Sequence, residues 1–404
     1  MPRRILFVSV LCLLAALVTP ASAALNPTGG PKCAAAKPPA GAKHARDDGV
    51  IRVANLNVLH GLTDEPPDYP ASRTLNIRTS MAAAQIAKAG IDIIGLEEVS
   101  VVEGPKLDPK HPLEVAPALA ARAARATGTT WYWCWFLANP HFPVEPDVQS
   151  GGGGPISETE AQLVSQFTGA PYSKFKEGLA ILSRYPIVDA EGLHLPGRVP
   201  AEAALCPLGP DGTTDPAEII AGLPDVPSCV ETVGFETRAA LWARMKTPAG
   251  LIDLTTTHLA HSITVGSDAS RLQQAAAALA FSDARSQIGG APAHRFFTCD
   301  CNSQPEDSVI GYIESQGWVN TLPGGCASDG VCTGGPDKIV TRTPRRVMDE
   351  RIDYVFARAG TCTKKPGLIV NTPLAPGARI DGLINPTNGY LWPSDHIGVA
   401  ATLC

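Results

Sequence analysis

Short apolar runs alternate along most of the chain with longer stretches of helical spacing. The runs have the length of strands and are rich in apolar and β-branched residues, as in strands covered on both faces. Strands are predicted at residues 51–57, 91–96, 178–183, 239–246, 251–257, 295–299, 352–357 and 398–403. Between them, apolar residues recur every three or four positions, which predicts helices at residues 77–89, 114–127, 268–286 and 307–316. This pattern predicts an α/β fold in which helices cover sheets.

Polar side chains of chemically useful types lie at the ends of these predicted strands. A fold of helices on sheets gathers such ends at one edge, where loops build sites. The set consists of carboxylates, carboxamides and imidazoles, namely Asn57, Glu97, Glu98, His258, Asp300, Asn302, Asp353, Asp395 and His396. Oxygen ligands without thiolates are preferred by Mg²⁺, Mn²⁺ or Ca²⁺ rather than by zinc. Histidines beside such an ion can activate water and stabilise a phosphoryl group in transfer.

The first 23 residues have the layout of a cleaved secretory signal. Arg3 and Arg4 precede an apolar run at residues 5–18 that is too short to cross a bilayer comfortably, and small residues follow at 21–23. A retained N-terminal anchor is the alternative. Of the 11 cysteines, Cys12 lies in this segment, so cleavage leaves an even number, as expected for a disulfide-bonded exported protein. Loss of the two arginines moves the net charge from −6 to −8.

The rest of the chain divides into a short lead-in and one long folded region. With 44% hydrophobic and 18% charged residues, the composition excludes a disordered, collagen-like or coiled-coil protein. Residues 24–48 lack hydrophobic periodicity and are predicted to be a flexible lead-in, pinned at Cys33. Residues 49–404 form the predicted catalytic domain. The predicted protein is a secreted monomer that does not insert stably into membranes.

Seven motifs occur in an order that resembles the endonuclease/exonuclease/phosphatase superfamily, the deoxyribonuclease-I-like fold. They are IRVANLNVLHG, IDIIGLEEVS, GLAILSRYPI, LTTTHL, FFTCDCNSQP, RIDYVF and PSDHIGV, and they run from about Ile51 to the C-terminus. The resemblance implies a four-layer α/β sandwich, in which two packed β-sheets are flanked by helices and the site lies at one edge. It also implies a divalent-metal-dependent enzyme that hydrolyses phosphate esters.

The resemblance assigns a metal-binding role to three of the polar residues. Glu98 corresponds to the main metal ligand, Asn57 is expected to hold metal or phosphate, and Asp395 is expected to contribute to the metal shell. The expected ion is Mg²⁺, with Mn²⁺ or Ca²⁺ as alternatives.

Catalytic roles carry over to five further residues. His396 is the expected general base, and Asp353 is expected to hydrogen-bond it and fix its orientation. Asp300 and Asn302 are expected to orient the attacking water and the phosphoryl oxygens, and His258 to contact the phosphate or protonate the leaving oxygen. The implied reaction is in-line attack of water on phosphorus.

Two positions depart from the family pattern. Glu97 stands where the family has Gln; because neighbours in an extended segment point to opposite faces, a hydrogen bond behind the site is expected rather than metal ligation. Cys299 and Cys301 flank Asp300 where the family has Gly and Phe. Alternate residues of a strand are about 7 Å apart, too far for a disulfide, so each cysteine is expected to pair elsewhere or to remain a core thiol.

Candidate substrate-binding residues rest on weaker signals. Arg345 belongs to a basic run, which consists of Lys338, Arg342, Arg345 and Arg346, and a solvated loop is the alternative. Lys176 corresponds loosely to a phosphate-contacting residue of related nucleases, and Trp392 lies close to the predicted base. Arg184 is interpreted as a structural ion-pair partner. The aromatic stretch at residues 131–136 is interpreted as core, with base stacking or lipid contact as alternatives.

Sequence alone leaves the substrate and the disulfides open. The first hypothesis is an extracellular nuclease, although a charge of −8 gives no long-range attraction to a polyanion. The alternatives are a sphingomyelinase-like phospholipid phosphodiesterase, an inositol-phosphate-type phosphatase, and a binding module without activity. Three disulfides are hypothesised: Cys206–Cys229, Cys326–Cys332 and Cys362–Cys404.

Overall fold

Two β-sheets packed face to face, each covered by helices on its outer side, form the protein. The computed structural model describes residues 30–42, 49–59, 71–102, 113–139, 176–196, 238–260, 267–335 and 339–404. The predicted four-layer α/β sandwich is therefore confirmed. The predicted signal at residues 1–23 lies outside the described residues.

The first sheet has eight strands in the described part of the chain. They are β1 (Lys32–Ala36), β2 (Arg52–Asn57), β3 (Ile93–Val102), β4 (Leu113–Glu114), β5 (Trp131–Asn139), β6 (Lys176–Ser183), β14 (Thr363–Ile369) and β18 (Gly398–Leu403). Their spatial order is β1-β5-β6-β3-β2-β18-β14, and β4 pairs with β3. Strands β2 and β3 are parallel, so their carboxyl ends lie at one edge.

The second sheet has six strands among the described residues. They are β7 (Ile187–His194), β8 (Ala239–Thr247), β9 (Gly250–His258), β10 (His294–Asp300), β11 (Trp318–Asn320) and β13 (Asp353–Arg358), in the spatial order β11-β13-β10-β9-β8-β7. Here β9 and β10 are the parallel pair. Two small ribbons pair β12 (Val340–Thr341) with β17 (Tyr390–Leu391) and β15 (Arg379–Ile380) with β16 (Leu383–Ile384).

Five helices complete the described fold: α1 (Ala71–Ala89), α2 (Val115–Thr127), α3 (Ser267–Ser286), α4 (Ser308–Ser315) and α5 (Cys326–Asp329). The first two pack on the outer face of the first sheet, and α3 and α4 pack on the outer face of the second. Alternate residues of the central strands face the other sheet, as Val53 and Ile93 do from the first sheet and Leu254 and Phe296 from the second. This middle layer is apolar at one end and polar at the end that carries the site. Among the described residues, no helix has the length and apolar character needed to cross a membrane.

Four disulfides join described cysteines, and they test the sequence hypotheses. Cys326–Cys332 and Cys362–Cys404 are confirmed, whereas Cys206 and Cys229 lie outside the described residues. Cys33 is pinned as predicted, by a bond to Cys134. The surrounding lead-in was predicted to be flexible, but Lys32–Ala36 forms an ordered edge strand because it pairs with β5 beside this disulfide.

The prediction that Cys299 and Cys301 cannot bond to each other was wrong. They form a disulfide with a Cα–Cα separation of 5.0 Å. The prediction assumed a fully extended strand through both residues, but β10 ends at Asp300, between the two cysteines, and their Cα atoms are closer than full extension would place them. Both side chains are buried against the helices on the outer face of the second sheet.

The predicted strands and helices are found within a few residues of their predicted bounds, with two differences at β3 and α1. Strand β3 continues to Val102, and α1 begins at Ala71. Sequence reasoning missed β7 and β14 altogether. The aromatic stretch lies in β5, where Trp131, Trp133 and Phe136 are buried, as the core interpretation predicts.

Candidate active site

The carboxyl ends of the two parallel strand pairs meet at one edge of the sandwich. The first sheet brings Asn57 and Glu98 to this edge, and the second sheet brings His258, Asp300 and Asp353. Close contacts across the gap between the sheets join these residues. The site is therefore built at the seam between the two sheets.

Asn57 links carboxylates from both sheets. Its Nδ2 donates to Oε1 of Glu98 at 2.7 Å and to Oδ2 of Asp300 at 2.9 Å. Its Oδ1 accepts the backbone N–H of Leu59 at 2.9 Å, which fixes the orientation of the amide. In this arrangement Asn57 holds two carboxylates side by side, and its predicted contact with metal or phosphate stays a prediction.

Glu97 and Glu98 both face the second sheet, contrary to the alternation expected from sequence. The pairing of β3 with β6 shifts register between Leu96 and Val99, and Glu98 has a φ of +55°. This bulge turns Glu98 towards the site, because an extra residue breaks the regular alternation of a strand. Glu97 lies deeper in the gap and accepts a hydrogen bond from Oγ1 of Thr256 at 2.7 Å, so the predicted bond behind the site is confirmed.

The sheets approach closely beside Glu97. Gly95 faces Thr256 and Thr298 of the second sheet, and a Cβ at Gly95 would lie 2.6 Å and 2.2 Å from their Oγ1 atoms. Such distances are far below van der Waals contact, so only glycine fits at this position without moving the sheets apart. Burial, together with the nearby charges of Asp353 and Asp300, raises the pKa of Glu97 well above its usual range.

His396 and Asp353 form a buried hydrogen-bonded pair. Nδ1 of His396 lies 2.9 Å from Oδ2 of Asp353, as the resemblance implied. Nε2 of the same ring lies 3.8 Å from Oδ2 of Asp300 and 3.9 Å from Oδ1 of Asp395. Burial alone would lower the pKa of the imidazole, but the carboxylates of Asp353, Asp395 and Asp300 outweigh it and hold this pKa well above its usual range.

Asn302 and His258 form a second polar pair. Nδ2 of Asn302 donates to the carbonyl of Leu259 at 2.9 Å and lies 3.1 Å from Nε2 of His258. Since the nitrogen of the amide must face that carbonyl, Nε2 of His258 is the acceptor here. It also lies 3.5 Å from Oδ2 of Asp300.

Asp300 lies between the two pairs, with its Oδ2 near Nε2 of both His396 and His258. Burial raises the pKa of its carboxyl to about 7, with Asp353 and Glu98 adding to the rise and His396 and Asn57 opposing it. A carboxyl in such surroundings takes up a proton readily unless a cation offsets the neighbouring negative charge. The site is therefore arranged to favour a bound cation.

Among the residues that the structure describes, two groups of side chains can hold such a cation. One consists of Glu98, His258 and Asp300, and the other of Asp300, Asp353 and His396; within each group, one candidate ligand atom per residue lies within 4.8 Å of the others. Carboxylate oxygens dominate both groups, and no thiolate belongs to either, which suits a hard divalent ion. Asp395, predicted as a ligand, belongs to neither group, and its Oδ1 lies 3.2 Å from Oγ of Ser394.

Thr333 is a positioning residue that sequence reasoning missed. Its Oγ1 accepts the backbone N–H groups of Ile352 and Asp353, both at 3.0 Å. Its carbonyl accepts the N–H of Ile397 at 2.7 Å. Thr333 thus ties the backbone of Asp353 to the backbone beside His396. Only its place after Cys332, which bonds to Cys326, hinted that this loop is held in place.

The predicted substrate-binding residues occupy different environments. Arg345 is exposed, Lys176 is half-buried at the start of β6, and Trp392 is only 3% exposed. Their predicted contacts with substrate stay predictions. Arg184 forms the expected structural ion pair, with Asp92 at 2.7 Å.

Comparison with known proteins agrees with this geometry. A model of the family described as endonuclease/exonuclease/phosphatase matches residues 54–396. The chain belongs to this family. Members of the endonuclease/exonuclease/phosphatase family are metal-dependent phosphoester hydrolases, so the protein is an enzyme of that class. A search of curated proteins finds no match.

Several solved structures resemble the fold at low sequence identity. An endonuclease/exonuclease/phosphatase from Beutenbergia cavernae is 16% identical, with 88% of this chain and 71% of that chain covered and a TM-score of 0.49. A mannosyl-6-phosphatase from Bacteroides thetaiotaomicron is 14% identical, with coverages of 87% and 98% and a TM-score of 0.48. D. rerio TDP2 complexed with a single-strand DNA product is 13% identical, with coverages of 88% and 99% and a TM-score of 0.44. At this similarity they say nothing about the substrate.

Proposed function

We propose that this protein is a secreted, Mg²⁺-dependent nuclease that hydrolyses phosphodiester bonds. The observation that carries the proposal is the buried His396–Asp353 pair directed at a cluster of carboxylates from both sheets. That combination provides a proton acceptor beside a site for a divalent ion, which together suit the attack of water on phosphorus.

The chain's own residues account for the proton transfers. Asp353 accepts the Nδ1 proton of His396, which leaves Nε2 facing the site. In the neutral imidazole, which a bound cation would favour by offsetting the surrounding carboxylates, Nε2 can take a proton from the attacking water. The water oxygen forms a bond to phosphorus as the bond to the leaving oxygen breaks on the opposite side. His258 lies on the other side of Asp300; because its Nε2 accepts from Asn302 in this structure, it can give a proton to the leaving oxygen only after Nε2 has taken one up. Asn302 keeps this imidazole in place.

Glu98 and Asp300 are the residues that would hold the ion, with Asn57 fixing their mutual orientation. Mg²⁺ is the proposed ion because carboxylate oxygen is its usual protein ligand. When bound, it supplies positive charge that offsets the charge developing on the phosphoryl oxygens. The same charge would lower the pKa of Asp300 and keep that carboxyl ionised.

Two observations support a nucleic acid as the substrate. Arg342 and Arg345 are exposed in the segment next to Arg346, whose guanidinium contacts the backbone of His396, so positive charge lies near the site despite the acidic net charge. Leu391 and Trp392, which could have met a membrane, are buried, and this favours a nuclease over a phospholipid phosphodiesterase. Four disulfides and the N-terminal pattern support secretion.

The test is a comparison of substrates with purified protein that begins at residue 24. Plasmid DNA, RNA, sphingomyelin liposomes and a simple phosphodiester are each incubated with Mg²⁺ or with a chelator, alongside His396→Ala. We expect DNA cleavage that requires the ion and is lost in the variant. Cleavage of the lipid without cleavage of DNA or RNA would overturn the nuclease assignment.

A further inference from the structure

Arg346 differs from the other arginines of its basic run. Arg342 and Arg345 are exposed, whereas Arg346 is half-buried and its guanidinium points into the protein. Its Nη2 donates to the carbonyl oxygen of His396 at 2.8 Å, and its Nη1 donates to the carbonyl oxygen of Ser394. The sequence places this residue in a basic run for which phosphate binding or a solvated loop is predicted, but the structure engages it with the loop that carries the proposed base.

The indole of Trp392 forms a second contact for the same guanidinium. The central carbon of the Arg346 guanidinium lies 4.5 Å from the centroid of the Trp392 ring, within the range of a cation–π interaction. The ring itself is fixed, because its Nε1 donates to Oγ1 of Thr341 at 2.9 Å. Arg346 therefore contacts the loop at residues 392, 394 and 396.

The backbone of His396 is held on both sides by this arrangement. Its N–H donates to Oγ of Ser394 at 3.1 Å, and that hydroxyl donates in turn to the carbonyl of Asn57 at 2.8 Å. Its carbonyl accepts from Arg346. The imidazole can lie 2.9 Å from Asp353 only while this backbone stays in place.

The charge of Arg346 persists at neutral pH in this environment. Burial lowers the pKa of the guanidinium to about 10, with Asp395 opposing the fall. It remains a cation and a double donor to two carbonyls. Hydrogen bonds from charged donors are stronger than those from neutral ones. Loss of the guanidinium would leave the carbonyl oxygens of Ser394 and His396 without this donor.

We propose that Arg346 is a positioning residue that sets the orientation of His396 for catalysis. The inference rests on the proposed role of His396 as general base. It assigns Arg346 a role in turnover rather than in substrate binding, since the guanidinium is directed at two backbone carbonyls of this loop and at the ring of Trp392.

The test compares Arg346→Met and Arg346→Lys with the matched variant Arg358→Met. Arg358 makes the same kinds of contact elsewhere: it lies 5.3 Å from the ring centroid of Trp318 and donates to the carbonyl of Gln316. Activity is measured on the simple phosphodiester, after circular dichroism and thermal unfolding show that each variant is folded. We expect Arg346→Met to lower kcat by about 10- to 100-fold with KM changed less than about threefold, as for displacement of a reacting group by around 1 Å. Arg346→Lys should recover part of kcat, and Arg358→Met should stay within about twofold of wild type.

Chemical rescue separates positioning from general loss of stability. Arg346→Ala should regain part of its kcat when low millimolar guanidinium chloride is added, and equal concentrations of sodium chloride or urea should have no such effect. An unchanged kcat in Arg346→Met, or a rise in KM alone, would overturn the proposal. So would an equal loss of kcat in Arg358→Met.

Parallel measurement of His396→Ala distinguishes the two proposals. If His396→Ala loses activity while Arg346→Met retains it, the role of Arg346 is wrong and the proposed mechanism stands. If His396→Ala retains activity, the proposed mechanism fails, and the role of Arg346 fails with it.

Discussion

Oδ2 of Asp353 lies 2.9 Å from Nδ1 of His396, although the two residues belong to different sheets. Asp353 begins β13 of the second sheet, and His396 lies just before β18 of the first. The pair is therefore a contact between the two halves of the sandwich, held by Thr333 and by the disulfide-bonded loop that precedes it.

Asp353→Asn should reduce turnover while leaving the fold intact. The amide is close in size to the carboxylate, but it carries no charge to favour the protonated ring that forms when His396 accepts a proton. We expect kcat to fall by about 100-fold or more, the range lost when general acid–base catalysis is impaired. Steady-state kinetics on the simple phosphodiester measures this loss. The exposed residue Asp349 provides the control. A similar loss of kcat in Asp349→Asn would contradict the role assigned to Asp353.

The two adjacent glutamates should differ in how strongly removal of their charge weakens Mg²⁺ binding. Glu98→Gln deletes a proposed ligand and should weaken Mg²⁺ binding by at least about tenfold, since even changes to outer partners of metal sites cost that much. Glu97→Gln should leave the affinity within about threefold, because this side chain bonds Thr256 instead. Titration calorimetry and the shift of the unfolding temperature with added Mg²⁺ provide the measurement. Equal weakening in both variants would contradict the bulged geometry.

Glu97→Gln should also stabilise the protein at neutral pH. The pKa of Glu97 in the folded protein is raised well above the unfolded value of 4.5. Between pH 4.5 and the raised pKa, the folded state therefore keeps a proton on Glu97 that the unfolded state has lost. The free energy of unfolding contributed by this group therefore falls as the pH rises from 4.5 towards the raised pKa. An amide has no such pH dependence and can still accept from Thr256.

Urea unfolding in chelator is the measurement for this stability difference. Glu97→Gln and wild type should have nearly equal stability at pH 4, and the variant should be more stable at pH 7 to 8. The exposed variant Glu314→Gln should follow wild type at every pH. A variant that is less stable than wild type at neutral pH would mean that the ionised form of Glu97 is favoured in the fold.

Thr333→Val should destabilise the site while Thr333→Ser should not. Valine has the shape of threonine but no acceptor, so the buried N–H groups of Ile352 and Asp353 lose their partner, at roughly 1–3 kcal/mol for each unsatisfied group. Serine keeps the hydroxyl. The variants are compared by urea unfolding and by kcat. The same loss in both would mean that keeping the hydroxyl does not protect the site, and its proposed role would be wrong.

The sequence predicted most of the fold and the residue types of the site, because periodicity and the ordered motifs are local signals. It failed where the backbone departs from regular geometry. Strict alternation placed Glu97 and Glu98 on opposite faces, and the bulge that changes this has no distinct pattern in the residues. The same assumption separated Cys299 from Cys301, whose Cα atoms lie 5.0 Å apart where β10 ends.

Long-range contacts were the other gap. Arg346 is 50 positions from His396 along the chain, and charge alone could not tell an inward guanidinium from the exposed ones of Arg342 and Arg345. Thr333 has no charge or ring to mark it. Its importance comes from three backbone groups that only the folded chain brings together.

The close approach at Gly95 gives catalysis a mechanical dependence on the distance between the two sheets. Half of the reacting groups are carried by one sheet and half by the other. A small increase in the distance between the sheets would therefore lengthen two hydrogen bonds at once, that of Asn57 to Asp300 and that of His396 to Asp353. A side chain at Gly95 would act as a wedge. The turnover rate therefore depends on the distance between the two sheets. A small change in packing between them would lower kcat even where a spectroscopic measurement shows a folded protein.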